Sequence, residues 1–79
     1  MKTKSDTSEF LRSWIHAPRG NGRWGFRPMY CDGLGSHTNG DIIWVNGNYA
    51  IARRDAMARA RREASEIGRV REIVLYTLP

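Results

Sequence analysis

The sequence predicts an α+β domain: an antiparallel sheet of three to four strands, one long Ala/Arg-rich helix packed across it, and a short N-terminal helix or strand. Three observations predict it. Aromatic residues alternate at period two between Arg23 and Cys31, the pattern of a half-buried strand. Alanines recur at three- and four-residue spacing between Ala52 and Ile67, the pattern of a helix with one buried stripe. From Val70 to Leu78 the chain is too apolar for a strand wet on one face, which predicts a central or doubly covered strand. With 79 residues the chain is a single small domain, residues 1–79. So short a chain buries only about 60% of its unfolded surface and cannot divide its core.

At the N-terminus, Asp6 and Glu9 have capping-box spacing, and Phe10, Leu11, Trp14 and Ile15 share a helical face, which predicts a helix over Thr7–His16. Pro18 and Gly20 end it. The alternative is a strand with Phe10, Arg12, Trp14 and His16 on one face, paired through Arg19-Gly20-Asn21-Gly22. In the strand over Arg23–Cys31, Trp24, Phe26, Pro28 and Tyr30 take one side, and Arg23, Gly25, Arg27, Met29 and Cys31 the other. Pro28 has no amide hydrogen, so it belongs at an open edge or a bulge. Asp32–Gly40 is turn chemistry and predicts an exposed loop. Asp41–Val45 reads as the next strand. Asn46-Gly47 is a strong two-residue hairpin signal, predicting a short return strand over Asn48–Ile51. In the helix that follows, Ala56, Met57, Ala60, Ala64 and Ile67 form the stripe meant for the sheet, and Gly68 is placed to terminate it.

Composition excludes several classes. Apolar residues make up 41% and charged residues 27%, which is globular rather than disordered. The longest uncharged apolar run, Ile73–Leu78, is far short of the ~20 residues of a membrane helix. The first ten residues lack the apolar run of a signal peptide. The single cysteine, Cys31, excludes an internal disulfide and suits a reducing cytoplasm. His16, Cys31 and His37 lack metal-ligand spacing, so no metal is expected. Gly33-Leu34-Gly35 lacks the third glycine of a dinucleotide loop, which would fall at Thr38. Ser36, His37 and Asp41 are neighbours in a glycine-rich loop, not a rigid triad. No enzyme activity and no cofactor are implied.

What remains is the placement of arginine. Thirteen basic and eight acidic residues give a net charge of +5, and all the basic residues except Lys2 and Lys4 are arginines. On the helix, Arg59 has Asp55 and Glu63 one turn away and Arg62 has Glu66, so those two read as self-neutralised surface charge. Arg53, Arg54 and Arg61 have no acid at helical spacing, and Arg54 and Arg61 share one flank. They are the first partner-binding candidates. The second set is Arg19, Arg23 and Arg27, interleaved with Trp24, Phe26 and Tyr30. RWGFRPMY does not match the RNA-recognition strand motif, because of Pro28, and the three rings read as core. Two functional classes follow. One is nucleic-acid binding through phosphate contacts. The other is a protein-binding module with an acidic or nucleic-acid-bearing partner, for which arginine's bidentate fork is suited. The apolar last strand leaves a homodimer open.

From Arg23 to Leu78, about seven-tenths of the chain, the outline is strand, strand, NG turn, short strand, Ala/Arg helix, Gly, strand. It resembles small phage-encoded anti-CRISPR proteins made of one antiparallel sheet and one helix. An arginine-rich chain of this size is similar to those directed at type I systems, type I-C among them. The resemblance implies a stoichiometric inhibitor in the host cell cytoplasm. It would dock on a Cas subunit of the Cascade surveillance complex and block engagement of target DNA. Such proteins share no functional residues, so no residue role carries over.

Overall fold

Between Asn21 and Cys31 the chain runs as one long strand, β2, which organises the rest of the sheet. The computed structural model describes residues 1–79. In chain order the elements are β1 (Lys2–Asp6), α1 (Ser8–Trp14), β2, β3 (His37–Asn39), β4 (Ile43–Asn48), α2 (Tyr49–Ile67) and β5 (Glu72–Thr77). On one edge of β2 runs β5, antiparallel, with Pro28 opposite Leu75. Its other edge is shared end to end by β4, which pairs with Asn21–Phe26, and β3, which pairs with Met29–Cys31. The Pro28 carbonyl accepts the Gly40 N–H at 2.8 Å, so the ring nitrogen of Pro28 faces the break between β3 and β4. A missing donor costs nothing there.

β1 lies parallel to β5, Thr3 opposite Ile73. The sheet is therefore mixed and five-stranded, not purely antiparallel with three or four strands. The sequence KTKSD carries no apolar alternation because β1 is an edge strand, held by backbone pairing rather than by burial. β5, with β1 on one side and β2 on the other, is the interior strand that its composition predicts. Both of its edges are taken, which removes the reason for expecting a second copy of the chain along it.

The helix over the N-terminal segment is present and the strand alternative is not. Asp6 starts it: the Ser8 backbone N–H and hydroxyl donate to its carboxylate at 2.9 and 2.6 Å. Those bonds hold the Asp6 carboxyl below its ordinary range. Glu9 does not reach back to close a capping box, because it pairs with Arg27 instead.

Asn46-Gly47 does not turn the chain. Both residues lie in β4, opposite Arg23 and Gly22, and no strand returns over Asn48–Ile51. The Asn48 side chain accepts the Ala50 N–H at 3.0 Å as the cap of α2. Gly47, at φ +125°, bends the strand into that helix. Tyr49 then fixes the corner. Its N–H donates to the Gly20 carbonyl at 2.9 Å, its hydroxyl lies 2.7 Å from Thr77 Oγ1, and its ring packs edge-on to Trp24. A helix started by a side-chain cap and a partly buried, hydrogen-bonded aromatic displaces a local turn preference. Asp32–Gly40 is likewise not all loop, since His37–Asn39 pairs as β3.

Helix α2 lies across the face that carries Phe26, Tyr30, Ile73 and Leu75. It buries Ala52, Ala56, Met57, Ala60 and Ala64. The stripe thus extends back to Ala52 and not forward to Ile67, which is half-exposed at the last turn. Small side chains on the helix and bulky ones on the sheet interlock, so close packing leaves no room for growth. Ala60→Leu is expected to cost about 1–3 kcal/mol by overpacking this seam, read from the urea midpoint. An unchanged midpoint would mean that Ala60 does not sit where its complete burial places it.

Candidate functional site

Arg53, Arg54 and Arg61 project from α2 toward β1, and with Lys4 they line one open cleft of about 500 Å³. The trio read from the sequence is therefore brought together, and the unanticipated edge strand provides the other wall. Arg53 donates to Ser5 Oγ at 3.2 Å and Arg61 to Thr3 Oγ1 at 3.4 Å. These are hydroxyl contacts that position the guanidinium groups without neutralising them. No acidic residue lines the cleft. Arg54 makes no side-chain hydrogen bond at all, so its fork is free. Four cations around one concavity focus a positive potential.

The neighbouring helix charges follow the spacing rule only in part. Arg59 pairs with Asp55 at 3.2 Å. Glu63 does not serve Arg59, because it turns to the sheet and accepts the Tyr30 hydroxyl at 2.9 Å. Arg62 and Glu66 form no ion pair, so Arg62 is not self-neutralised as its spacing suggested. Burial, and then the bond to Glu63 and its charge, push the Tyr30 phenol well above its ordinary value. The unfolded chain ionises at about 10, while the folded phenol stays neutral. Its contribution to stability is therefore complete below about pH 10 and lost as pH rises toward the folded value. Melting curves should show an alkaline decline that Tyr30→Phe flattens. A decline of the same steepness in that variant would assign it to other groups.

Arg19, Arg23 and Arg27 do not join the α2 trio. Arg23 and Arg27 lie on the opposite face of the sheet, and neither is loose. Arg27 donates to Glu9 at 2.9 Å and stacks 5.0 Å from the centre of the Tyr76 ring. It is a structural pair fastening α1 to the sheet rather than a free contact. Arg23 lies 4.8 Å over the Trp44 ring and has no acidic partner. Arg19 is exposed in the segment before β2, apart from both groups. As the sequence indicates, Phe26 and Tyr30 are core. Trp24 is half-buried, its indole N–H donating to the Gly47 carbonyl at 3.0 Å.

Sequence reasoning missed a second concave feature. All three tryptophans, Trp14, Trp24 and Trp44, line one cleft of about 310 Å³ with Phe10, His16 and Arg23. The available signal was three tryptophans in so short a chain, but they are distant in sequence and their convergence needs the fold. Elsewhere no three His, Cys, Asp or Glu side chains converge in a way that could hold a metal ion. No helix is long and apolar enough to cross a membrane. Compared with protein-family models, curated proteins and solved structures, the chain shows no significant match to any.

Proposed function

We propose that this chain is a non-enzymatic inhibitor of the anti-CRISPR kind, acting in the host cytoplasm. It binds a Cas subunit of a type I Cascade complex and keeps that complex from engaging target DNA. The observation that carries the reading is the cleft in which Arg53, Arg54, Arg61 and Lys4 meet with no acid among them. Such a surface suits a partner that is acidic or carries phosphates. An arginine fork held in place, as Arg53 is by Ser5, loses less freedom on binding than a free side chain does. The resemblance in size and arginine content supports the choice of partner. The outline behind it differs from the fold in that no hairpin follows Asn46-Gly47, β1 makes the sheet mixed, and a second helix, α1, is present.

A second reading, direct binding of nucleic acid, is favoured by one further feature. Lys2, Arg69 and Arg71 line another cleft at the end of β1, outnumbering its one acidic side chain, Glu72. The edge strand therefore links two cationic clefts into a stripe along which a phosphate backbone could run. One experiment separates the two readings. The purified protein is mixed with Cascade, and separately with free single- and double-stranded DNA, over a range of salt. Under the first reading it co-elutes with Cascade and abolishes target-DNA binding by that complex, while free DNA is bound weakly. Under the second it binds free DNA without Cascade, with a steep log–log salt dependence. Co-elution with neither would overturn both.

A further inference from the structure

The cleft of the three tryptophans lies between α1, the first half of β2, Trp44 of β4 and the last residues, Leu78 and Pro79. Phe10, only 6% exposed, is its hub: its ring centre lies 6.1 Å from Trp14, 5.7 Å from Trp24 and 5.7 Å from His16. Trp44 is seated by Gly25, the residue opposite it in the ladder. A Cβ at Gly25 would come within 2.7 Å of the indole, so the ring can lie on the backbone only because no side chain is there. Trp44 in turn carries the Arg23 guanidinium. The Arg23 guanidinium donates no hydrogen bond within the chain, and no acidic side chain lines the cleft. A positioned, unspent fork beside an apolar cleft is thus built into the sheet.

The surroundings are also apolar and uncovered. Trp14 is 56% and Trp44 50% exposed, and Leu11 of α1 and Ile15, the residue that caps it, are exposed as well, at 42% and 91%. Ile15 is held at φ 62°, a backbone region that costs a β-branched residue energy. Exposed tryptophans gathered around one cleft mark an interaction site. From charge complementarity we infer that this cleft takes a bulky apolar side chain of a protein partner flanked by a carboxylate, the side chain entering between the tryptophans and the carboxylate meeting Arg23.

A protein segment fits better than a nucleic acid strand. The rings around Phe10 are tilted by 31°, 47° and 71°, which makes walls rather than a stacking platform. One arginine does not make the run of cations that tracks a phosphate backbone. Tryptophan and arginine around a desolvated centre are instead the composition of protein-interface hot spots. The site is separate from the α2–β1 cleft, so this inference does not rest on the function proposed above.

The test follows the three indole N–H resonances of the ¹⁵N-labelled protein. It is titrated with acetylated Glu-Glu-Leu-Glu-Glu amide, its leucine-to-alanine version, and an oligothymidylate. The leucine peptide should shift the Trp14 and Trp44 indoles saturably, with Kd of about 1 mM or tighter, as one anchor in a small pocket supplies. The alanine peptide should bind at least about tenfold more weakly, since the buried carbons are gone. Trp14→Ala and Arg23→Glu should each weaken the leucine peptide by about tenfold or more. Circular dichroism verifies that each variant is folded, and Arg23→Glu, at an exposed position, carries the test without touching the Phe10 packing. Arg54→Glu with Arg61→Glu should leave the indole shifts unchanged. Equal effects of the two peptides, unmoved indoles, or loss of the shifts in the Arg54/Arg61 variant would each overturn the inference. Indole shifts caused by the oligonucleotide or by raising the protein concentration alone would do so as well, the first pointing to a base and the second to another copy of the chain.

Discussion

Phe26→Ala is expected to remove a large share of the protein's stability, about 3–5 kcal/mol. Phe26 is fully buried and lies where β2 is paired on both edges, to Ile43 of β4 and Thr77 of β5. Its ring belongs to the cluster under α2 with Ala52 and Ala56. Those alanines have no further atoms with which to fill a hole. Phe→Ala in such a site costs about 3–5 kcal/mol. At the usual 0.05–0.15 kcal/mol per residue, the whole chain has only about 4–12 kcal/mol. Urea unfolding with far-ultraviolet circular dichroism measures the loss directly. Phe26→Leu, which keeps most of the volume, should fold and lose about 1–1.5 kcal/mol. A loss below about 1 kcal/mol in Phe26→Ala would place the core elsewhere.

Arg54→Glu combined with Arg61→Glu is expected to weaken partner binding by about 2–5 kcal/mol, since each reversal replaces a charge-assisted contact with repulsion. Both side chains are exposed, and the Arg61 contact to Thr3 is long at 3.4 Å, so stability should change by no more than about 0.5 kcal/mol. Arg62→Glu is the informative control: this arginine also lacks an ion pair, but it does not line the cleft. Arg59→Glu is a poorer control because it also breaks the ion pair with Asp55. If Arg62→Glu removes binding while the double reversal does not, the functional flank of α2 is the other one. Titration against Cascade at two salt concentrations gives the magnitude, and the melting temperature of each variant guards against a folding artefact.

Elements that rest on periodicity were legible in the sequence. The β2 alternation placed Phe26 and Tyr30 in the core, the alanine stripe placed the buried face of α2, and crowded apolar residues placed β5 inside the sheet. Burial selects side chains, so it leaves a pattern. What went unread rests on the backbone or on distance. β1 is an edge strand whose pairing asks nothing of its side chains, and its lysines and hydroxyls look like a polar leader. Asn46-Gly47 has the local chemistry of a hairpin, yet the Asn48 cap and the seating of Tyr49 against Trp24 and Thr77 decide the path. The same limit applies to the arginines. Acid spacing located Arg53, Arg54 and Arg61, because neighbours on a helix are set by its pitch. It misjudged Arg62, whose expected partner does not pair, and Arg59's second acid, which serves Tyr30.

The sequence by itself determined the α+β class, the core faces of β2 and α2, and the unneutralised trio on the helix. Each of these follows from the fixed geometry of a single helix or strand, repeated along the chain. The tertiary structure alone decided that β1 would wall the arginine cleft, and that Glu9 would take Arg27 out of play. It alone set Trp44 on Gly25 and gathered three distant tryptophans around Phe10. Those are meetings between elements, and they depend on strand order and register. Strand order and register come from the packing of the whole domain, and no local stretch of residues encodes them.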